Sequence, residues 1–292
     1  MASHLKSEAF LLHAHKRFPG VTSECFANLT GASQPSPTSY DHLLKIIPRM
    51  SEGKVLDLAC GDGILCQRLE ASRPKLTEII GVDFSPHEIR LAERTAQSSR
   101  IRFFCGRAQQ LNLAAKSFDY ILCHMAFMLM ENIEKVVSEI ARVLKEDGHF
   151  SCVIPIASKG GCRAIYQRCF EHVARDYRLL SFETLGDRRA RSSSGLKSLF
   201  EAHPAFHGTA VFEEFEISLE PDPQSLVRFF MGHYETSCLT DQGIELLRQR
   251  LTAEFVAERM NGTLSHGVGF LQMTVRKQRR IDALSAPNAV LA

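Results

Sequence analysis

The residues of this chain best suited to chemistry lie in Val55-Leu56-Asp57-Leu58-Ala59-Cys60-Gly61-Asp62-Gly63, with Asp83 twenty residues beyond Gly63. Glycines at 61 and 63 let the backbone bend sharply and approach a ligand closely, and a helix after the bend offers its free N–H groups to a polar group. Asp83 closes the next apolar run, where a carboxylate accepts hydrogen bonds from ribose hydroxyls. The site therefore suits a nucleoside. A dinucleotide loop would need a third small residue at position 66, which is Cys66, and Asp57 with Asp62 would repel a pyrophosphate. A cationic ligand is favoured.

Holding such a bend requires a buried strand before it and a helix after it. KVLDLAC is an apolar run too short for a helix and reads as a buried parallel strand. GDGILCQRLEAS then reads as turn and helix. The alternation repeats through strand TEIIGVDF, helix SPHEIRLAERTAQ, strand RIRFFCG, loop RAQQLNLAAKS, strand FDYILCHM, helix NIEKVVSEIARVL, turn KEDG and strand HFSCVIP. VFEEFEISL and HGVGFLQMTVRK, separated by two helices, add an antiparallel edge pair. The expected fold is α/β: a doubly wound, mostly parallel seven-stranded sheet with helices on both faces and a helical lid.

The chain divides into an N-terminal helical lid or arm over 1–39, a nucleoside-binding core over 40–156, a helical lid insertion over 157–206, the rest of the sheet over 207–279 and a flexible tail over 280–292. Within the insertion, GCRAIYQRCFEHVARDYRLL reads as one amphipathic helix and RRARSSSGLKS as a mobile, solvated link.

At 292 residues and 45% hydrophobic, the chain can bury a continuous core without disulfides or metals. Lys and Arg total 35 against 33 Asp and Glu, a net charge of +2 unlike that of a dedicated nucleic-acid binder, so no nucleic-acid partner is expected. Nine cysteines, an odd number without a C-x-x-C pair, sit partly in apolar runs (Cys105, Cys123, Cys152), as reduced, buried thiols do. MASHLKSEAFLLHAHKRF carries charges through its apolar stretch, which fits neither a signal peptide nor a membrane span. A cytoplasmic protein with no membrane partner is expected.

VLDLACGDG resembles motif I of the class I, Rossmann-like S-adenosylmethionine-dependent methyltransferases. IIGVDFSP resembles their second motif, SFDYILCHMAFMLM their fourth strand, and ARVLKEDGHFSCVIP their fifth-strand signature. The resemblance covers roughly residues 38–156, with the elements in order at the expected spacing. It implies S-adenosylmethionine as cofactor, with Asp57, Gly61 and Gly63 at its methionine end, Asp83 at the ribose and Phe84 on the adenine. It also implies cofactor contacts from Tyr40, Ala59 and Cys123. Many relatives read G-D-A after the third strand, but here the run is Gly106-Arg107-Ala108-Gln109. Arg107 cannot accept a hydrogen bond, so adenine contact shifts to Ala108 or Gln109.

Methyl transfer needs chiefly an in-line approach, and a general base only if the acceptor loses a proton. His124, ending the fourth strand at the carboxyl edge of the sheet, is the first catalytic candidate, and Tyr177 on the insertion helix the second. His172 and Phe127 are further residues that could face an acceptor, and Arg188, Arg189 and Arg191 could attract an anionic one. His203 and His207 have metal-like spacing, yet Pro204 interrupts them, and no metal is expected.

The favoured activity is methyl transfer to a small molecule, on O, N or S. A base-amino methyltransferase is disfavoured, because Cys123-His124-Met125-Ala126 stands where that class carries an N/D-P-P-Y/F tetrapeptide. Other RNA or protein targets, and a cyclase that consumes S-adenosylmethionine and releases 5′-methylthioadenosine, remain alternatives. A non-catalytic cofactor-binding regulator is the fourth, against which the intact Gly61, Gly63 and Asp83 speak. The acceptor and the oligomeric state do not follow from the sequence.

Overall fold

The computed structural model describes residues 3–26, 37–96, 98–157, 160–182, 184–219 and 222–279. In chain order the elements are β1 (Ser3–Leu5), α1 (Ser7–Arg17), α2 (Val21–Phe26), α3 (Ser39–Leu44), β2 (Gly53–Leu58), α4 (Ile64–Ser72), β3 (Leu76–Asp83), α5 (Pro86–Thr95), β4 (Ile101–Cys105) and β5 (Phe118–His124). They continue through α6 (Ile133–Val143), β6 (Leu144–Pro155), α7 (Cys162–Tyr177), β7 (Leu180–Phe182), α8 (Ser193–Glu201), β8 (Val211–Leu219), α9 (Pro223–Met231), α10 (Asp241–Met260) and β9 (His266–Arg276).

Seven strands form one sheet in the order β4-β3-β2-β5-β6-β9-β8, parallel from β4 to β6 and antiparallel at β6/β9 and β9/β8. This is the expected mixed sheet with its antiparallel edge pair. The sheet order reverses beside β2, so the carboxyl ends of β2 and β5 part and leave a crevice where ligands bind in open α/β sheets.

Side chains alternate between the two faces, as the two-residue period of a strand requires. Val55, Ile79, Leu122 and Val153 pack on one side with α3, α4, α7, α9 and α10, while Leu56, Ile80, Ile121 and Ile154 pack on the other with α6 and α8. Both faces are apolar because helices cover both.

Two parts of 157–206 depart from the sequence reading. The segment does not act as one unit: α7 joins the first face against α10, and α8 the second. The expected solvated link is an ordered 3₁₀ turn, Arg188–Arg191, running into α8. Ser192 caps α8 by accepting the Gly195 N–H, and Leu196, Leu199 and Phe200 bury at helical spacing. Phe200 stacks on Phe150 with ring centroids 5.2 Å apart. Of the serines that suggest disorder, Ser192 is the cap, and Ser193 and Ser194 form the first turn of α8.

A third, smaller cluster stands over the crevice, joining Phe10 and Leu11 of α1 to Leu180, Leu185 and Cys238. Here β1 pairs in parallel with β7, and Phe10 stacks on Phe182 at 4.0 Å. The described cysteines are free, and Cys105 is the exposed one among them. No described helix is long and apolar enough to cross a membrane. Residues 280–292, expected to be a flexible tail, lie outside the described residues.

Candidate functional site

Asp83 organises the crevice. One carboxylate oxygen accepts the Gly61 N–H at 3.0 Å and the other the Ser85 N–H at 2.8 Å, tying the bend after β2 to the start of α5. Each oxygen keeps a lone pair for another donor. The bend uses the left-handed region three times: Ala59 at φ 60°, Gly61 at 54° and Gly63 at 80°. Met125, after β5, adopts φ 55°. For the non-glycines, Ala59 and Met125, such a backbone costs on the order of 1 kcal/mol each and tends to persist where it shapes a ligand site.

Together these turns bound a slot of about 110 Å³. Asp57, Asp62, Asp83 and Glu88 all line it. Burial raises each of their pKa values, Asp57 to about 7, Asp83 to about 6, Glu88 to about 7 and Asp62 by a smaller amount. The cause is lost hydration of the charged form, offset for Asp83 by the Ser85 and Gly61 N–H groups and for Asp57 by the Cys66 thiol at 3.4 Å. Four carboxylates withdrawn from water around one slot make a receptor for a cation that also presents hydroxyls.

The slot is roofed by the N-terminal helices. Glu88 accepts the Gly20 N–H at 3.0 and 3.2 Å, Asp62 accepts the Ser23 hydroxyl, and Arg107 pairs with Glu8. Thus Arg107, which breaks the family pattern, clasps α1. Gln109 donates its amide to the Glu131 carbonyl at 2.7 Å, which leaves its own oxygen as an acceptor.

Of the expected cofactor residues, Tyr40, Asp57, Ala59, Gly61, Asp83, Phe84, Ala108 and Gln109 line the slot. Gly63 and Cys123 do not. Gly63 begins α4 against the ring of Phe103, which a Cβ there would meet at 2.5 Å. Cys123 points to the opposite face of β5, into the second core.

Of the catalytic candidates, His124 lines the slot, stacked on Tyr40 at 3.7 Å with Nε2 2.9 Å from the Ser39 hydroxyl. Burial, aided by the charge of Arg68, lowers its pKa to about 3, so the ring is neutral at pH 7 and a weak proton acceptor. Tyr177 is remote from the slot, packed beneath Gly243 of α10. His172 bonds to Arg250 at 2.9 Å on the surface. Phe127 is enclosed by Phe150 and Phe200 and is inaccessible to a ligand. Arg189 is engaged by Asp187 and Glu134, and Arg188 is exposed. His203 accepts the Ala205 N–H at 3.3 Å, and His207 lies 3.4 Å from the Glu201 carbonyl. Among the described residues no cluster of three or more His, Cys, Asp or Glu could hold a metal.

Glu88 and Tyr234 escaped sequence reading. Ser85 and Glu88 have capping-box spacing, which hides Glu88 as a helix-start residue; but the Ser85 N–H goes to Asp83, and Glu88 turns to Gly20 instead. Tyr234 carries no local signal. Its hydroxyl lies 2.9 Å from that of Thr22 and 3.4 Å from Nε2 of His15, whose pKa burial lowers to about 4.

A second cavity of about 400 Å³ adjoins the slot. Thr22, Met125, Leu129 and Tyr234 line both and form the wall between them. Its own lining comes from α9 and the turn after it, from the end of β6 and the segment following it, and from α2, α7, β9 and the turns after β5 and before α8.

Residues 56–152 match the family described as the methyltransferase domain. Over that segment the chain carries a methyltransferase domain, in keeping with the resemblance of its motifs to the class I S-adenosylmethionine-dependent methyltransferases. It is 35% identical over 114 residues to the uncharacterized methyltransferase YcgJ of Bacillus subtilis, covering 38% of this chain and 44% of that protein. It is 33% identical over 117 residues to a demethylmenaquinone methyltransferase of Leptospira interrogans, covering 38% and 47%. The chain therefore spans less than half the length of these relatives. In fold it resembles Haemonchus contortus phosphoethanolamine N-methyltransferase 2, determined with phosphomonomethylethanolamine and S-adenosylhomocysteine, at a TM-score of 0.58 and 16% identity over 94% of this chain and 61% of that one. The matched segment runs from β2 to β6, the crevice-forming part of the sheet, and the α7–α10 region lies outside it.

Proposed function

We propose that this methyltransferase binds S-adenosylmethionine in the slot and moves its methyl group to a small molecule in the adjoining cavity. The observation that carries the reading is the shared wall: a slot with four desolvated carboxylates opens beside a separate chamber across Thr22, Met125, Leu129 and Tyr234. The donor set fits the cofactor. Asp83 has free lone pairs for ribose hydroxyls, Asp57, Asp62 and Glu88 match its positive charge, and Phe84, Ala108 and Gln109 flank the place of the base.

When bound, S-adenosylmethionine supplies a methyl group activated by positive sulfur. The protein's part is orientation and exclusion of water: α1 and α2 close the slot, and Tyr234, fixed by Thr22 and His15, stands where the two cavities meet. His124, neutral and stacked on Tyr40, shapes the slot rather than moving a proton. A second chamber has no use if the cofactor reacts only with itself, which favours transfer over cyclisation. The name of the Leptospira relative supports a small-molecule acceptor. The net charge of +2 supports a partner other than nucleic acid, and the buried free thiols support a cytoplasmic setting.

Calorimetry with S-adenosylmethionine and S-adenosylhomocysteine, followed by incubation with labelled cofactor and a metabolite extract, tests this. Binding and S-adenosylhomocysteine release are expected. Release of 5′-methylthioadenosine from the cofactor alone, or no binding of either nucleoside, overturns it.

A further inference from the structure

The lining of the second cavity combines two kinds of residue. Phe229, Phe230, Pro155, Ile156 and Val268 are apolar or aromatic, with Phe26 edge-on to Phe229 at 5.8 Å between centroids. Arg163 and Arg191 are the cations in the same lining. Neither guanidinium forms an ion pair among the described residues. Arg191 donates one N–H to the Leu185 carbonyl at 2.7 Å, and partial burial lowers its pKa. It is an exposed cation with no counter-charge of its own among the described residues. Glu235 supplies one carboxylate to the lining, against the two guanidiniums.

His233 also lines this cavity. Its ring is held by Tyr166, Phe230 and Phe229 at centroid distances of 4.9, 5.3 and 5.5 Å. Nδ1 is sealed from water without a hydrogen-bond partner, so a polar contact with an occupant runs through Nε2. Burial lowers the pKa of His233, the nearby charge of Glu235 opposes that shift and Arg163 adds to it. A neutral imidazole can accept a hydrogen bond from a hydroxyl or amine.

We propose that the cavity takes an acceptor with a compact aromatic body and a carboxylate, the ring against Phe229 and Phe230, the carboxylate on Arg163 and Arg191, and a hydroxyl or amine on His233. Guanidiniums grip a carboxylate through paired N–H donors, and aromatic walls bury the ring. The assignment of the ligand to methyl acceptance rests on the reading of the neighbouring slot as the cofactor site.

The probe pair is 6-hydroxy-2-naphthoate and 6-hydroxy-2-naphthamide, titrated calorimetrically into the full chain, first alone and then with S-adenosylhomocysteine. The acid is expected to bind about tenfold more tightly than the amide. Arg191→Gln and Arg163→Gln, both at exposed positions, should each weaken the acid about fivefold and leave the amide unchanged. His233→Phe should weaken both ligands alike. Equal affinities for acid and amide, binding of neither, or indifference of the acid to both arginine substitutions overturns the proposal. Since the titrations without S-adenosylhomocysteine do not need the cofactor, failure of the slot reading shows separately, as absence of nucleoside binding.

Discussion

Glu88 grips the backbone N–H of Gly20 with both carboxylate oxygens, at 3.0 and 3.2 Å, across 68 residues of sequence. This contact fastens the N-terminal roof to the core of the protein. Removing the carboxylate strands a buried N–H, a loss of about 1–3 kcal/mol locally. Glu88→Ala should therefore speed amide hydrogen exchange in residues 18–26 about tenfold while exchange in β2 and β3 stays unchanged. Unaltered exchange in the roof would show that Arg107 and Asp62 suffice.

Asp83 joins the bend after β2 to the start of α5 and is 4% exposed. Asp83→Asn replaces one acceptor by a donor that faces the Gly61 or Ser85 N–H. Affinity for S-adenosylhomocysteine should fall about a hundredfold, on the order of 3 kcal/mol. A fall below threefold would remove Asp83 from the binding site.

Cofactor binding should strengthen as pH rises. A cation favours the ionised carboxylates, and Asp57 and Glu88 stand near 7 before it binds. For one such group, affinity for S-adenosylmethionine should rise about tenfold between pH 6 and pH 8, with proton release at pH 6.5. Calorimetry in two buffers of different ionisation heat measures both quantities, and a flat profile contradicts the electrostatic account.

The same carboxylates oppose folding at high pH. Asp57 has a folded pKa of about 7 against an ordinary 3.8, so the folded chain holds more protons than the unfolded chain between those values. Stability from this group is present at low pH and is lost as pH rises through 7. Thermal melts from pH 5.5 to pH 8 should show the wild type falling about 2–5 °C relative to Asp57→Asn. Parallel curves would refute it.

Phe200 anchors α8 to the second face, fully buried against Phe127, Phe150 and Phe206. Phe200→Ala should cost about 3–5 kcal/mol in urea unfolding. A loss below 1 kcal/mol would restore the picture of 188–198 as a solvated link.

The sequence by itself determined the strand-bend-helix about Asp57, Gly61 and Asp83, the seven strands and the antiparallel edge pair. Each depends on neighbours within one element or one crossover, where two-residue and 3.6-residue periods and the freedom of glycine act locally. The strand period also carried the distinction between His124, at the slot, and Cys123, behind it, once one residue of β5 was anchored to a face. Only the tertiary structure decided the rest. Glu88 meets Gly20, Arg107 meets Glu8, and Tyr234 rather than Tyr177 reaches the junction of the cavities, because helix crossings and connections bring together residues far apart in the chain. The second cavity is lined from α2, the segments after β5 and β6, α7, the turn before α8, α9 and β9, so no local spacing encodes it.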